Sequence, residues 1–188
     1  MTRASALLVA TLVVWISPDR VALSATTTDV FTAFHTRCVE PMRSSLAPRT
    51  ADMSPLHEAV VAELLGAEAT DEYTGWISRP AAFVLLIHTS QKNCQILASV
   101  EQWAFLRVLK RDAVVEGFRF SQDLNELDPT KEVPRVSVFG SMPLSGGGFL
   151  QLTHSHINTN TRKTALLLAT IVGETAASCA LFPEKCGS

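Results

Sequence analysis

Two histidines one residue apart, His154 and His156 in Leu150-Gln151-Leu152-Thr153-His154-Ser155-His156, are the residues whose type and spacing point most directly to chemistry. Side chains alternate along an extended strand, so both imidazoles fall on one face and could ligate one metal ion. A water made nucleophilic by that ion would give a metal-dependent hydrolase. No third ligand stands nearby in sequence, and His88 is the distant residue that could complete the set. The plainer reading is a polar strand end, with Leu150 and Leu152 on the core side and the histidines continuing their line past its edge.

Four cysteines follow: Cys38, Cys94, Cys179 and Cys186. An even count behind an export signal implies two bridges. Cys38 with Cys94 and Cys179 with Cys186 is the favoured pairing, since the last two are separated only by a short loop through Phe182-Pro183. A four-thiolate zinc site would announce itself by paired C-x2-C spacings, which this chain lacks. A cysteine nucleophile needs a free thiol, and each of the four has a bridging partner.

The remaining motifs read as structure. Ser145-Gly146-Gly147-Gly148 could cradle an anion, but a strand follows it rather than the helix N-terminus a phosphate loop needs. Ser145 also lacks the G-x-S-x-G setting of a nucleophile elbow. The carboxylate pairs Asp71/Glu72 and Glu126/Asp128 sit among turn formers and belong to a solvated surface. Tyr73 and Trp76 flank Gly75 and could line a pocket, whereas Trp103 lies on a helical core stripe. No cofactor is implied.

The N-terminus, Arg3 followed by an uncharged run from Ala4 to Ile16, has the layout of a secretory signal, with small residues for cleavage near Ser24 and Ala25. The apolar run is well short of the roughly 20 residues that span a bilayer. Residues 1–24 are therefore expected to be a signal peptide and residues 25–188 a single exported domain, periplasmic or extracellular. Its loss removes Arg3, Arg20 and Asp19, so the 16 basic and 18 acidic residues of the whole chain become 14 and 17, a net charge of −3. A mildly acidic domain offers no footprint for nucleic acid, and no polybasic stretch addresses an anionic membrane. No stable membrane insertion is expected once the signal is cleaved.

The elements that must position these residues follow from periodicity. Val30, Phe31, Phe34, Cys38 and Met42 recur at helical spacing, and Pro41 should kink or end that helix. Ser54-Pro55 is read as the start of a second helix that stops at Gly66, with a polar stretch from Ala67 to Thr74. Ala81–His88 and Cys94–Ala98 form a hairpin around Thr89–Asn93. A third helix follows Ser99 and stops at Gly117. After a loop from Ser121 to Pro134 come strands at Arg135–Met142, Phe149–Ile157 and Lys163–Val172, and then an irregular tail.

The expected fold is α+β, with N-terminal helices and a single antiparallel sheet of about five strands in β-β-α-β-β-β order. A hairpin, a helical crossover and a meander in one sheet resembles the topology of PAS-like and profilin-like domains over about residues 75–173, without a shared motif. The function this suggests is a non-catalytic exported binding or accessory protein whose partner is a small molecule or another exported protein. The alternative is the hydrolase built on His154 and His156.

Overall fold

The computed structural model describes residues 26–66, 71–78, 83–112, 117–121, 134–158 and 163–187. The expected signal peptide, most of the 121–134 loop and the turn after Asn158 lie outside these residues. The architecture is one eight-stranded antiparallel sheet: β1 Met53–Pro55, β2 Tyr73–Ser78, β3 Phe83–His88, β4 Asn93–Ala98, β5 Arg119–Phe120, β6 Arg135–Pro143, β7 Phe149–Asn158 and β8 Lys163–Val172. Their spatial order is β1-β2-β3-β4-β8-β7-β6-β5. Two four-stranded meanders thus meet where β4 pairs with β8, from Asn93↔Thr170 to Ala98↔Ala165.

This corrects the expectation of about five strands, and the PAS-like and profilin-like resemblance goes with it. The five strands expected from apolar density are present, but β1, β2 and β5 join them. β1 and β5 are three and two residues long, too short for any periodic signal. β2 escapes notice because Gly75 interrupts it. A Cβ at Gly75 would meet Val61 Cγ2 at 2.8 Å and Leu56 Cδ1 at 3.2 Å, so glycine is what lets helix α3 (Glu58–Leu65) lie directly on the strand.

α3 also begins later than Ser54-Pro55 suggests. Those two residues belong to edge strand β1, opposite Ile77 and Trp76, where a proline without an N–H is tolerated. The helix starts after His57, whose Nδ1 accepts the N–H of Ala59 at 3.2 Å. The tail is likewise more regular than expected: α5 (Ala176–Leu181) is capped by the Thr175 hydroxyl and leads into a 3-10 turn at Pro183–Lys185.

One face of the sheet carries the main core. Alternation places Phe83, Leu85, Ile87, Cys94, Ile96, Ala98, Leu152, Ala165, Leu167 and Ala169 on it, all buried. Helix α1 (Thr27–Phe34) and helix α4 (Gln102–Asp112) cover it. Thr26 and Asp29 form a reciprocal capping box at the start of α1, and Val30, Phe31 and Phe34 are fully buried. The chain then widens into a π turn, His35–Val39, before a last helical turn, α2 (Glu40–Arg43). Pro41 supplies no N–H for the carbonyl four residues earlier, that of Arg37, and this carbonyl instead accepts the N–H of Arg49 at 2.8 Å. The proline therefore does not end the helix at once, because a wider turn and an incoming loop replace the missing bond.

Candidate functional site

Strand β7 places His154 and His156 on the helix-covered face, in the row of Leu150 and Leu152. They are not an exposed strand end: His154 is 1% exposed and His156 0%. His154 is walled in by α1, with the ring of Phe31 at 5.5 Å and that of Phe34 at 5.6 Å, both edge-on. The ring of His35, at the start of the π turn, stands 6.4 Å away. Neither nitrogen of His154 has a hydrogen-bond partner. Burial, and then the neighbouring His35, push its pKa down to about 3, so it is neutral at ordinary pH.

His156 is anchored differently. Its Nε2–H donates to the carbonyl oxygen of Val100 at 2.8 Å, which leaves Nδ1 buried without a partner. The Phe105 ring of α4 lies 5.4 Å from it. Burial is the largest influence and lowers its pKa, against the opposing pull of the Val100 carbonyl and of Glu101.

The structure separates the histidines from the residue that was to complete a metal set. His88 pairs across β2 with Tyr73 and follows Ile87, which faces the core, so its ring lies on the opposite side of the sheet. There its Nδ1 accepts the N–H of Ser90 at 3.1 Å and stands 2.8 Å from the Ser90 hydroxyl. Its Nε2 is 3.7 Å from Glu72. Hydroxyl, imidazole and carboxylate superficially suggest a nucleophile set, but the amide of Ser90 already occupies Nδ1. The arrangement closes the β3–β4 turn, in which Gln91 has a positive φ of 57°.

Among the described residues, the group of three ligand types that comes within ligating reach is Glu174, Cys179 and Cys186. Its sulfurs are joined to each other, so no thiolate is offered. The other bridge joins Cys38, on the π turn, to Cys94 on β4, with Cα atoms 5.7 Å apart. It fastens the N-terminal helix to the covered face of the sheet.

Among the described residues, the opposite face is only partly covered. α3 lies over Gly75 at one end. At the other, α5 buries Ser178, whose hydroxyl accepts Gln151 Nε2 at 2.8 Å and stands 2.9 Å from the Thr175 hydroxyl. Between them Ile77, Val84, Leu97 and Leu166 stand in one row across four neighbouring strands, each half-buried. In the next row Leu168 and Thr153 are also half-buried, while Leu86, beside Gly75, is fully buried. Tyr73 and Gln95 form a polar border, with Gln95 Nε2 donating to the Tyr73 hydroxyl at 3.2 Å.

Tyr73 and Trp76 do not share a pocket, because a spacing of three in a strand puts them on opposite faces. Trp103 departs from the core reading: it is 50% exposed, with the Arg107 guanidinium 3.7 Å over its ring. His35 is the residue that sequence reasoning left out of the site. Its signal was weak, since it sits one position past Phe34 on a helix read as a single amphipathic stripe.

No protein-family model matches the chain, and no curated protein or solved structure matches it significantly.

Proposed function

We propose that this chain is an exported, non-catalytic binding or accessory domain whose partner lies on the partly open face of the sheet. The observation that carries the reading is the row Ile77, Val84, Leu97 and Leu166. Leucines and isoleucines one position away on the same strands, such as Leu85, Ile96 and Leu167, are fully sealed, whereas this row stays only half-buried although it runs across four strands. A contiguous apolar strip bounded by helices and polar side chains is the usual form of a recognition surface. Two disulfides fit an oxidising compartment. No helix among the described residues is long and apolar enough to cross a membrane. The hydrolase alternative gains no support from the geometry, because a hydrolytic metal needs an open ligand position that water and substrate can reach, and His154 and His156 are sealed beneath α1 and α4.

The test uses Leu97→Lys and Leu166→Lys in full-length protein recovered from the envelope of its own cells. Native mass spectrometry should show a bound molecule or protein on the parent that both variants lack, with both variants still unfolding cooperatively in urea. The same bound species on parent and variants, or none on the parent, overturns the reading. Intact mass should place the mature N-terminus at Ala25 or Thr26, and a product retaining Trp15 would refute export by a cleaved signal.

A further inference from the structure

We propose that His154, seated beneath α1, is an acid-operated release for the N-terminal helix, which the Cys38–Cys94 bridge keeps tethered when it lifts from the sheet. A buried polar group with no partner costs stability and calls for an explanation. His154 has two such nitrogens in an aromatic enclosure. A leucine of similar size would fill that space without the penalty.

The groups around His154 give a proton no counter-charge. From α1 it meets Phe31 and Phe34, and from the π turn His35, the titratable group beside it and one that repels a second positive charge. Its strand partners are Val138 on β6 and Leu167 on β8, and α4 contributes Phe105 to the same core. The nearest charged side chains on the neighbouring His156 are Glu101 and Lys163, which are already paired to one another at 2.9 Å. Arg37 of the π turn is turned to the carbonyls of Ala51 and Arg49. Among the described residues no carboxylate faces His154.

The fold decides which element yields. β7 is hydrogen-bonded on both sides, to β6 and β8, along its whole length. α1 has no such ladder and is held to the sheet by packed side chains and the bridge at Cys38. Hydrating an imidazolium at His154 therefore means lifting α1, about a hinge in the π turn next to Cys38. Lifting exposes Val30, Phe31 and Phe34 together, while the disulfide prevents the helix from leaving and favours its return at neutral pH.

The decisive measurement is amide hydrogen exchange of the disulfide-intact protein at pH 7.5 and pH 4.5, corrected for intrinsic exchange rates. Each pH unit below the ordinary histidine value should raise the opening constant about tenfold, so protection in residues 30–34 of α1 should fall by about 100-fold over this range. Protection in β7 and β8 should fall much less. In His154→Leu the α1 signal should lose this pH dependence, and His154→Asn, neutral at both pH values, serves the same purpose if the leucine variant does not fold. Equal loss in parent and variant, loss spread evenly over helix and sheet, or no loss in the parent would each overturn the proposal. So would stoichiometric zinc or copper on the purified parent that is lost in His154→Leu, because the unpartnered nitrogens would then be explained by a metal.

Discussion

Lowering the pH from 7.5 to 5 should destabilise the protein through His154 by about 2 kcal/mol. Its value in the folded state is pushed down to about 3, against an ordinary 6.5 once the chain unfolds. The folded state thus binds fewer protons than the unfolded one, and the stability this contributes is intact above about pH 6.5. As pH falls below that, stability is lost at about 1.4 kcal/mol per pH unit, levelling off near pH 3 at a total of about 5 kcal/mol. His156 is displaced in the same direction by its burial and adds to the loss. Against the roughly 5–15 kcal/mol of a typical domain this is a large effect, and at pH 5 it should lower Tm by about 4–8 °C for a chain of this size. Urea unfolding at half-unit pH steps, run in parallel on His154→Leu, isolates the contribution. The variant should be more stable than the parent at pH 7.5, since it removes two unpartnered nitrogens. Its advantage should then widen by about 2 kcal/mol at pH 5. A gap between parent and variant that stays constant from pH 7.5 to 5 would refute the reasoning, because it would mean that His154 is solvated or paired in the native protein.

The other expectations concern the scaffold. Gly75→Val should destabilise by about 1–3 kcal/mol through overpacking against Val61 and Leu56, and Val61→Ala in the same chain should recover part of that loss, measured as a double-mutant cycle in urea. Replacing Cys38 and Cys94 together by alanine should cost about 4 kcal/mol, against about 2.5 kcal/mol for Cys179 and Cys186, because the loops they close differ in sequence separation, 56 against 7; equal losses would contradict the loop-entropy account. Trp103→Ala should cost less than about 1 kcal/mol, since the ring is half exposed and gives up mainly its contact with Arg107.

Legibility in the sequence followed the length of each signal. The five strands with long apolar or alternating runs could be read, as could the buried stripe of α1, because those patterns arise within one element. The three added strands are defined by their neighbours instead. Pro55 and Phe120 become strand residues only because Trp76 and Gly140 lie opposite, and Gly140 leaves room for the Phe120 ring, which a Cβ would approach to 2.8 Å. The order of strands was equally out of reach, since nothing local in β4 says that its other neighbour will be β8. A helical crossover between the two meanders determines it, and such pairing is a long-range property of the chain.

The histidines show the same division between local and long-range information. Alternation correctly put His154 and His156 on one face with Leu150 and Leu152, because that follows from strand geometry alone. Whether that face is wet or dry depends on α1, more than a hundred residues earlier in the chain, and on α4. A histidine beyond the apolar part of a strand reads as an exposed end when only the strand is considered. Once Phe31, Phe34 and Phe105 are brought over it, the same spacing describes two imidazoles sealed in a core. Their burial closes both imidazoles to solvent and is the basis on which we propose that the attachment of α1 is sensitive to acid. The chemistry of the site is therefore set less by the pair itself than by the Cys38–Cys94 tie, which holds the covering helix in place.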